Sequence, residues 1–188
     1  MAGSNNKTTG VFGTALQTSV NVGTANTGVT AVEYGDGYTH TTVLTVSQVD
    51  ALTLGDNVAL ADGYLIYTFP AGSISVLATY MSMAVTAAST ELQADTPDVG
   101  LGSAIATGAV ATLTSTQDDY IEGQTATNTN GSATVHVDYP VQALPQIMQA
   151  ADSHLLHFNV ADTWADDTGA DLTADIAGTV TIHWVFMG

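Results

Sequence analysis

Three of the five histidines, His136, His157 and His183, fall at positions where an imidazole could hold a metal or a proton. Each sits on the polar face of a segment that alternates apolar and polar residues. The apolar sets opposite them are Ala133, Val135 and Val137; Leu156, Phe158 and Val160; and Val180, Ile182, Trp184 and Phe186. On neighbouring strands the three rings would converge into a metal site or a pH switch. On separate strands each simply caps a Thr-lined sheet face. His154 and His157 are three residues apart on a strand pattern, which sends them to opposite faces and argues against a shared site. A second constellation is acidic. Asp162, Asp166, Asp167, Asp171 and Asp175 surround Trp164, and a hard cation such as calcium wants several such oxygens. The first four are the weak metal candidates of the chain. Their spacing lacks the glycine and terminal glutamate of an EF-hand loop, and a solvated acidic loop is the plainer reading. Ala94–Asp98 supplies a further acidic pair, Asp95 and Asp98. Trp164 beside these acids would stack on a sugar if exposed, or fill the core if not.

Other chemistry is poorly served. The chain has no cysteine, which removes disulfides, thiolate nucleophiles and Cys-based zinc sites. It has no GxSxG elbow, no P-loop and no Gly-rich dinucleotide fingerprint, and no carboxylate pair is placed at an acid/base separation. The expectation is a protein without enzymatic activity and without a cofactor.

Charge narrows the partners. Lys7 is the only lysine, arginine is absent, and eighteen acidic residues bring the formal net charge to -17. Neutralising a phosphate backbone needs cations, so nucleic acid is excluded as a partner, and anionic membranes repel the chain. Arg and Lys clamps for phosphorylated substrates are missing as well. Charged residues are only 10 % of the chain, against about 25 % in ordinary domains, so the surface must be clothed in Thr, Ser, Asn, Gln and Gly.

The elements that would position these residues read as β structure. Thr and Val, both β-branched, dominate. Gly-containing turn signals recur at Gly35-Asp36-Gly37, Asp62-Gly63, Asn130-Gly131 and Thr168-Gly169. Between them the pattern predicts strands over 29–34, 39–49, 64–69, 74–86, 132–138, 154–160 and 177–186. Residues 74–88 are apolar on both parities, which predicts a central strand covered on each side. Short helices are expected at most twice, over 103–113 and from Pro145 to Ala151. The fold class is therefore an all-β antiparallel sandwich or jelly roll. Residues 1–30 are too polar to fold alone and read as an extended arm, with 31–188 as the sandwich domain. The N-terminus lacks a basic segment followed by an apolar core, so no secretory signal is expected. No run approaches the ~18 apolar residues of a membrane span, and a soluble protein made in a cytoplasm is expected.

Several segments together resemble virion proteins of marine tailed bacteriophages. They are His40–Val46 (HTTVLTV), Gly55–Gly72 (GDNVALADGYLIYTFPAG), Ala94–Gly102 (ADTPDVGLG), Leu156–Trp164 (LHFNVADTW) and Gly178–Phe186 (GTVTIHWVF). The similarity runs from about residue 35 to the end and leaves the arm outside. It implies a head decoration, or cement, protein: a small β-sandwich on the outer surface of the virion head, bound to the major capsid protein and commonly trimeric. In that setting Val11, Phe12, Leu16, Val20 and Val22 of the arm become the expected capsid or subunit contacts. The competing expectation is a glycan- or calcium-binding β-sandwich module of a phage fibre or surface adhesin, with its site at Trp164 and the neighbouring Asp residues.

Overall fold

A computed structural model describes residues 5–10, 13–18, 22–35, 38–55, 59–87, 95–126, 130–137, 146–149, 152–164 and 172–188. Among the described residues thirteen strands follow one another. They are β1 (Asn5–Gly10), β2 (Gly13–Thr18), β3 (Thr24–Ala25), β4 (Val29–Gly35), β5 (Thr39–Leu54), β6 (Ala61–Thr68) and β7 (Ile74–Ala87). Then come β8 (Asp98–Gly102), β9 (Ile121–Thr125), β10 (Asn130–Val137), β11 (Gln146–Met148), β12 (Leu155–Ala161) and β13 (Leu172–Phe186). Two antiparallel sheets pack face to face, the all-β sandwich that the alternating pattern predicts. One sheet runs β10-β7-β13-β5-β4, with β11 continuing the β10 edge along β7; the other runs β3-β6-β12-β8-β9.

Alternation builds the core. Leu44, Val46, Leu52 and Leu54 of β5, Met81, Met83 and Val85 of β7, and Val180, Ile182 and Trp184 of β13 all point inward. They meet Ile66, Tyr67 and Phe69 from the β6 end, with Leu156, Phe158 and Val160 of β12, in one continuous buried cluster. Phe186, the last of the alternating set on β13, is only half-buried and packs on the edge of that cluster.

The long strands are interrupted where they must bend. Asp50 adopts a left-handed conformation (φ 49°) at the point where β5 bulges against Ala174 and Ile176. Asp tolerates that region because its short side chain bonds locally. The Asp50 amide donates to Asp175 Oδ1 at 2.8 Å, and Thr173 Oγ1 donates to Asp50 Oδ1 at 2.7 Å. Gly178 holds φ +148° in the middle of β13, and a Cβ there would lie 2.1 Å from the Ser82 carbonyl oxygen. Only glycine fits.

Three expectations need correction. The outer face of β7 is not covered: Leu77 and Tyr80 are exposed, and the alternate residues between Ala78 and Thr86 are only half-buried. Residues 103–113 form bends instead of a helix, because side-chain acceptors take the backbone amides of Ser103, Ala106 and Leu113. Gln146–Met148 pairs with β7 as a strand where a helical turn from Pro145 was expected. Ser115–Gln117 is a single 3-10 turn.

The arm is a hairpin where one extended segment was expected. β1 pairs with β2 from Asn5↔Thr18 to Gly10↔Gly13, and β2 lies beside β4 without joining either sheet of the sandwich. The sandwich itself begins before residue 31. Thr24 and Ala25 pair with Thr68 and Tyr67, the Gly23 amide donates to Tyr67 Oη at 2.9 Å, and Val29 is buried.

Candidate functional site

The structure keeps the three histidines apart. His157 belongs to the five-stranded sheet, whereas His136 and His183 belong to the other. Within that sheet His136 stands opposite Ser82 of β7 and His183 opposite Ala78, four residues along the same strand, or ~13 Å. His183 lies on the outer face, with Nδ1 2.9 Å from Thr41 Oγ1 and its ring edge-on to Tyr80 at 5.7 Å. The His136 side chain lies outside the described residues. His157 is not on a solvated face at all. It is buried beneath residues 103–119, its Nδ1 has no hydrogen-bond partner among the described residues, and burial pushes its pKa below the ordinary value. A backbone hydrogen bond with Gly102 opposes that shift. His154, just before β12, places its two ring nitrogens 2.8 Å from the carbonyls of Asp152 and Gly72.

The cover over His157 is held by acids and one amide. Asn159 is fully buried; its Oδ1 accepts from the Ala106 amide at 2.9 Å, and its Nδ2 donates to the carbonyls of Ala104 and Gln117 at 2.9 and 2.6 Å. Asp119 accepts both the amide and the hydroxyl of Ser103, each at 2.7 Å. Asp98 accepts from the Leu113 amide and Asp118 from the Gly123 amide. Burial raises the pKa of all three carboxyls, and the charges of Asp118 and Asp162 push Asp98 further up. Gly102 permits the close approach, since a Cβ there would meet the Gln117 carbonyl carbon at 2.2 Å. These carboxylates spend their lone pairs on backbone amides. Among the described residues no group of three or more His, Asp or Glu is disposed to hold a metal ion.

Of the acidic metal candidates, Asp162 turns onto the amide of Thr163 at 2.6 Å at the end of β12. Asp166, Asp167 and Asp171 lie outside the described residues. Asp175 is on the other sheet, bonded to Asp50. Trp164 is fully buried, and its Nε1 donates to the Leu60 carbonyl at 3.1 Å. It is a core residue and offers no surface on which a sugar ring could stack, which removes the platform of the glycan alternative. Of the expected arm contacts, Val22 is half-buried beside Gly23, Leu16 is placed as backbone on β2, and Val11, Phe12 and Val20 lie outside the described residues.

One buried polar cluster went unread in the sequence. Glu33 of β4 and His40 of β5 point between the sheets, each about 4 % exposed. His40 Nδ1 sits 3.4 Å from Glu33 Oε2, and the Tyr67 hydroxyl donates to Glu33 Oε1. The His40 ring stacks on Trp184 at 3.9 Å between centroids and 7° between planes, and Trp184 Nε1 donates to Thr42 Oγ1 at 2.8 Å. Burial and the adjacent Glu33 carboxyl push the Tyr67 phenol far up, so it remains a donor. An acid, an imidazole and a phenol at this spacing could relay a proton. With every member shut inside the core, the arrangement ties β4 and β5 of one sheet to β6 of the other instead.

No protein family, no curated protein and no solved structure matches this chain.

Proposed function

We propose that the chain is a non-enzymatic structural protein of a tailed-phage virion, a decoration protein that binds the major capsid protein on the outer surface of the head and braces capsomer junctions. The segments from His40 to Phe186 that resemble such proteins supply the family reading, and a continuous sandwich core suits a brace. The observation that carries the proposal is the N-terminal hairpin, which pairs with neither sheet. A two-stranded hairpin is marginal by itself in water. Seated on a neighbouring sheet edge, it gains main-chain hydrogen bonds beyond those of its own β1–β2 pairing. Repetition over a symmetric shell then multiplies weak contacts, by ~10²-fold or more in avidity where geometry permits.

The test is co-sedimentation of the purified protein with assembled shells of its capsid protein. Removal of residues 1–21 spares β3, Val29 and the Gly23–Tyr67 bond, so the sandwich should stay folded while shell binding is lost. A 22–188 protein that still decorates shells would sink the hairpin mechanism, and a full chain that ignores them would sink the decoration reading. A rise in melting temperature at millimolar calcium would favour the cation-binding alternative, because a ligand bound only by the native state must stabilise it.

A further inference from the structure

Among the described residues, six acids lie on one side of the molecule. Asp62, Asp98, Asp118, Asp119, Glu122 and Asp162 all belong to the five-stranded sheet or its cover. Glu33 points into the core, and Asp50 and Asp175 meet beyond the Ala177–Ser47 pair, at the far end of the other sheet. Between that pair and Val185–Thr39 the outer face of the six-stranded sheet carries no charged side chain among the described residues. Its central row runs Tyr80–Thr181–Val43–Val32 across β7, β13, β5 and β4. On one side of it lies a row of hydroxyls that includes Thr45 and Thr179. Large apolar groups stand in the open: Val32 is 36 %, Tyr80 38 % and Tyr34 39 % exposed.

From this the geometry points to a second copy of the chain as the occupant: two molecules pack with their uncharged sheet faces together. Copies that each carry a net charge of -17 repel wherever acid meets acid. Packed through this face, they keep the acids of the far sheets about three sheet spacings apart, roughly 30 Å, which exceeds the ~8 Å screening length at physiological salt. The area suffices. Four strands at ~4.8 Å and the Thr39–Ser47 length of β5 at ~3.4 Å per residue give roughly 520 Å² per copy, and the stretches of β10 and β11 that pair with β7 in this window add roughly 100 Å², which reaches the lower end of the about 600–1,000 Å² per partner of stable specific interfaces.

Light scattering and sedimentation on the full chain test this, at 0.15 M and 1 M salt. The wild type should self-associate, more tightly in high salt. Thr181→Glu, in the centre of the face, and Val32→Glu, on its edge strand, should each weaken association at least tenfold. Thr125→Glu, exposed on β9 of the other sheet, should leave it unchanged. Fluorescence of the buried Trp164 and Trp184 reports whether each variant is folded. A dimer that both face variants dissociate supports the pairing, and an odd-numbered assembly overturns it. A wild type that stays monomeric in both salts overturns it, as does a trimer indifferent to both variants. A monomer whose Thr181→Glu variant loses shell binding also overturns it, and gives the face to the shell instead.

Discussion

At the scale of single residues, the buried polar groups divide into those fully satisfied and those held short of a partner. Asn159 uses its carbonyl oxygen and both amide hydrogens, whereas His157 leaves Nδ1 unpaired in the core. That difference sets a pH dependence. With its folded pKa below the ordinary 6.5, His157 binds a proton more readily in the unfolded chain. Its contribution is intact above pH 6.5 and is lost as pH falls from there through the folded value. Asp62, Asp98, Asp118 and Asp119 act in the opposite sense. Their folded values lie above 3.8, so the stability they contribute grows as pH falls through those raised values. Denaturant melts across pH 8 to 4 should therefore show a dip below about 6.5 followed by partial recovery, and His157→Gln should remove the dip alone. The Glu33–His40 pair was legible in principle. Glu33 shares parity with Val29 and Ala31, and His40 shares it with Leu44 and Val46, so period-two counting alone aims both inward. What hid the pair is that a buried carboxylate contradicts composition rules, and its phenol partner Tyr67 comes from the opposite sheet.

At the scale of elements, strands with strict alternation were readable and those defined by their cover were not. β5, β7, β12 and β13 carry their core residues at period two; the expected ends of β7 and β12 lie within one residue of those observed, whereas β5 runs five residues further, to Leu54, and β13 begins five residues earlier, at Leu172. β8 and β9 escaped because Asp98–Gly102 and Ile121–Thr125 are short and interrupted by glycine. Both faces of β12 are buried, one by the opposite sheet and one by residues 103–119, so the polar parity of His157 and Asn159 gave a false signal of solvent. That cover is a distinct unit, held down by Asn159, Asp98 and Asp119. Asn159→Leu would strand the Ala106 amide and the carbonyls of Ala104 and Gln117, at a cost of roughly 3 kcal/mol. Hydrogen exchange should then quicken at Ala104 and Ala106 while the amides of β13 keep their protection. Uniform acceleration across both would show that the cover and the sandwich unfold as one.

At the scale of the whole molecule, stability rests on packing with almost no help from ion pairs. One lysine cannot balance eighteen acids, so self-repulsion goes unopposed and is weakened only by solvent ions. The melting temperature should climb steadily from 0.05 to 1 M sodium chloride, and a flat profile would show that the acids are already too dispersed to interact. Lys7 has a further consequence. It stands on β1, in the hairpin that belongs to neither sheet, and no other residue of the chain offers a basic side chain with a fixed charge. A protease that cuts after lysine or arginine therefore has one peptide bond to attack in the entire polypeptide, and that bond lies in the arm. Trypsin becomes a reporter of seating: the arm should be clipped in the free protein and spared when it is engaged, while the sandwich resists under either condition.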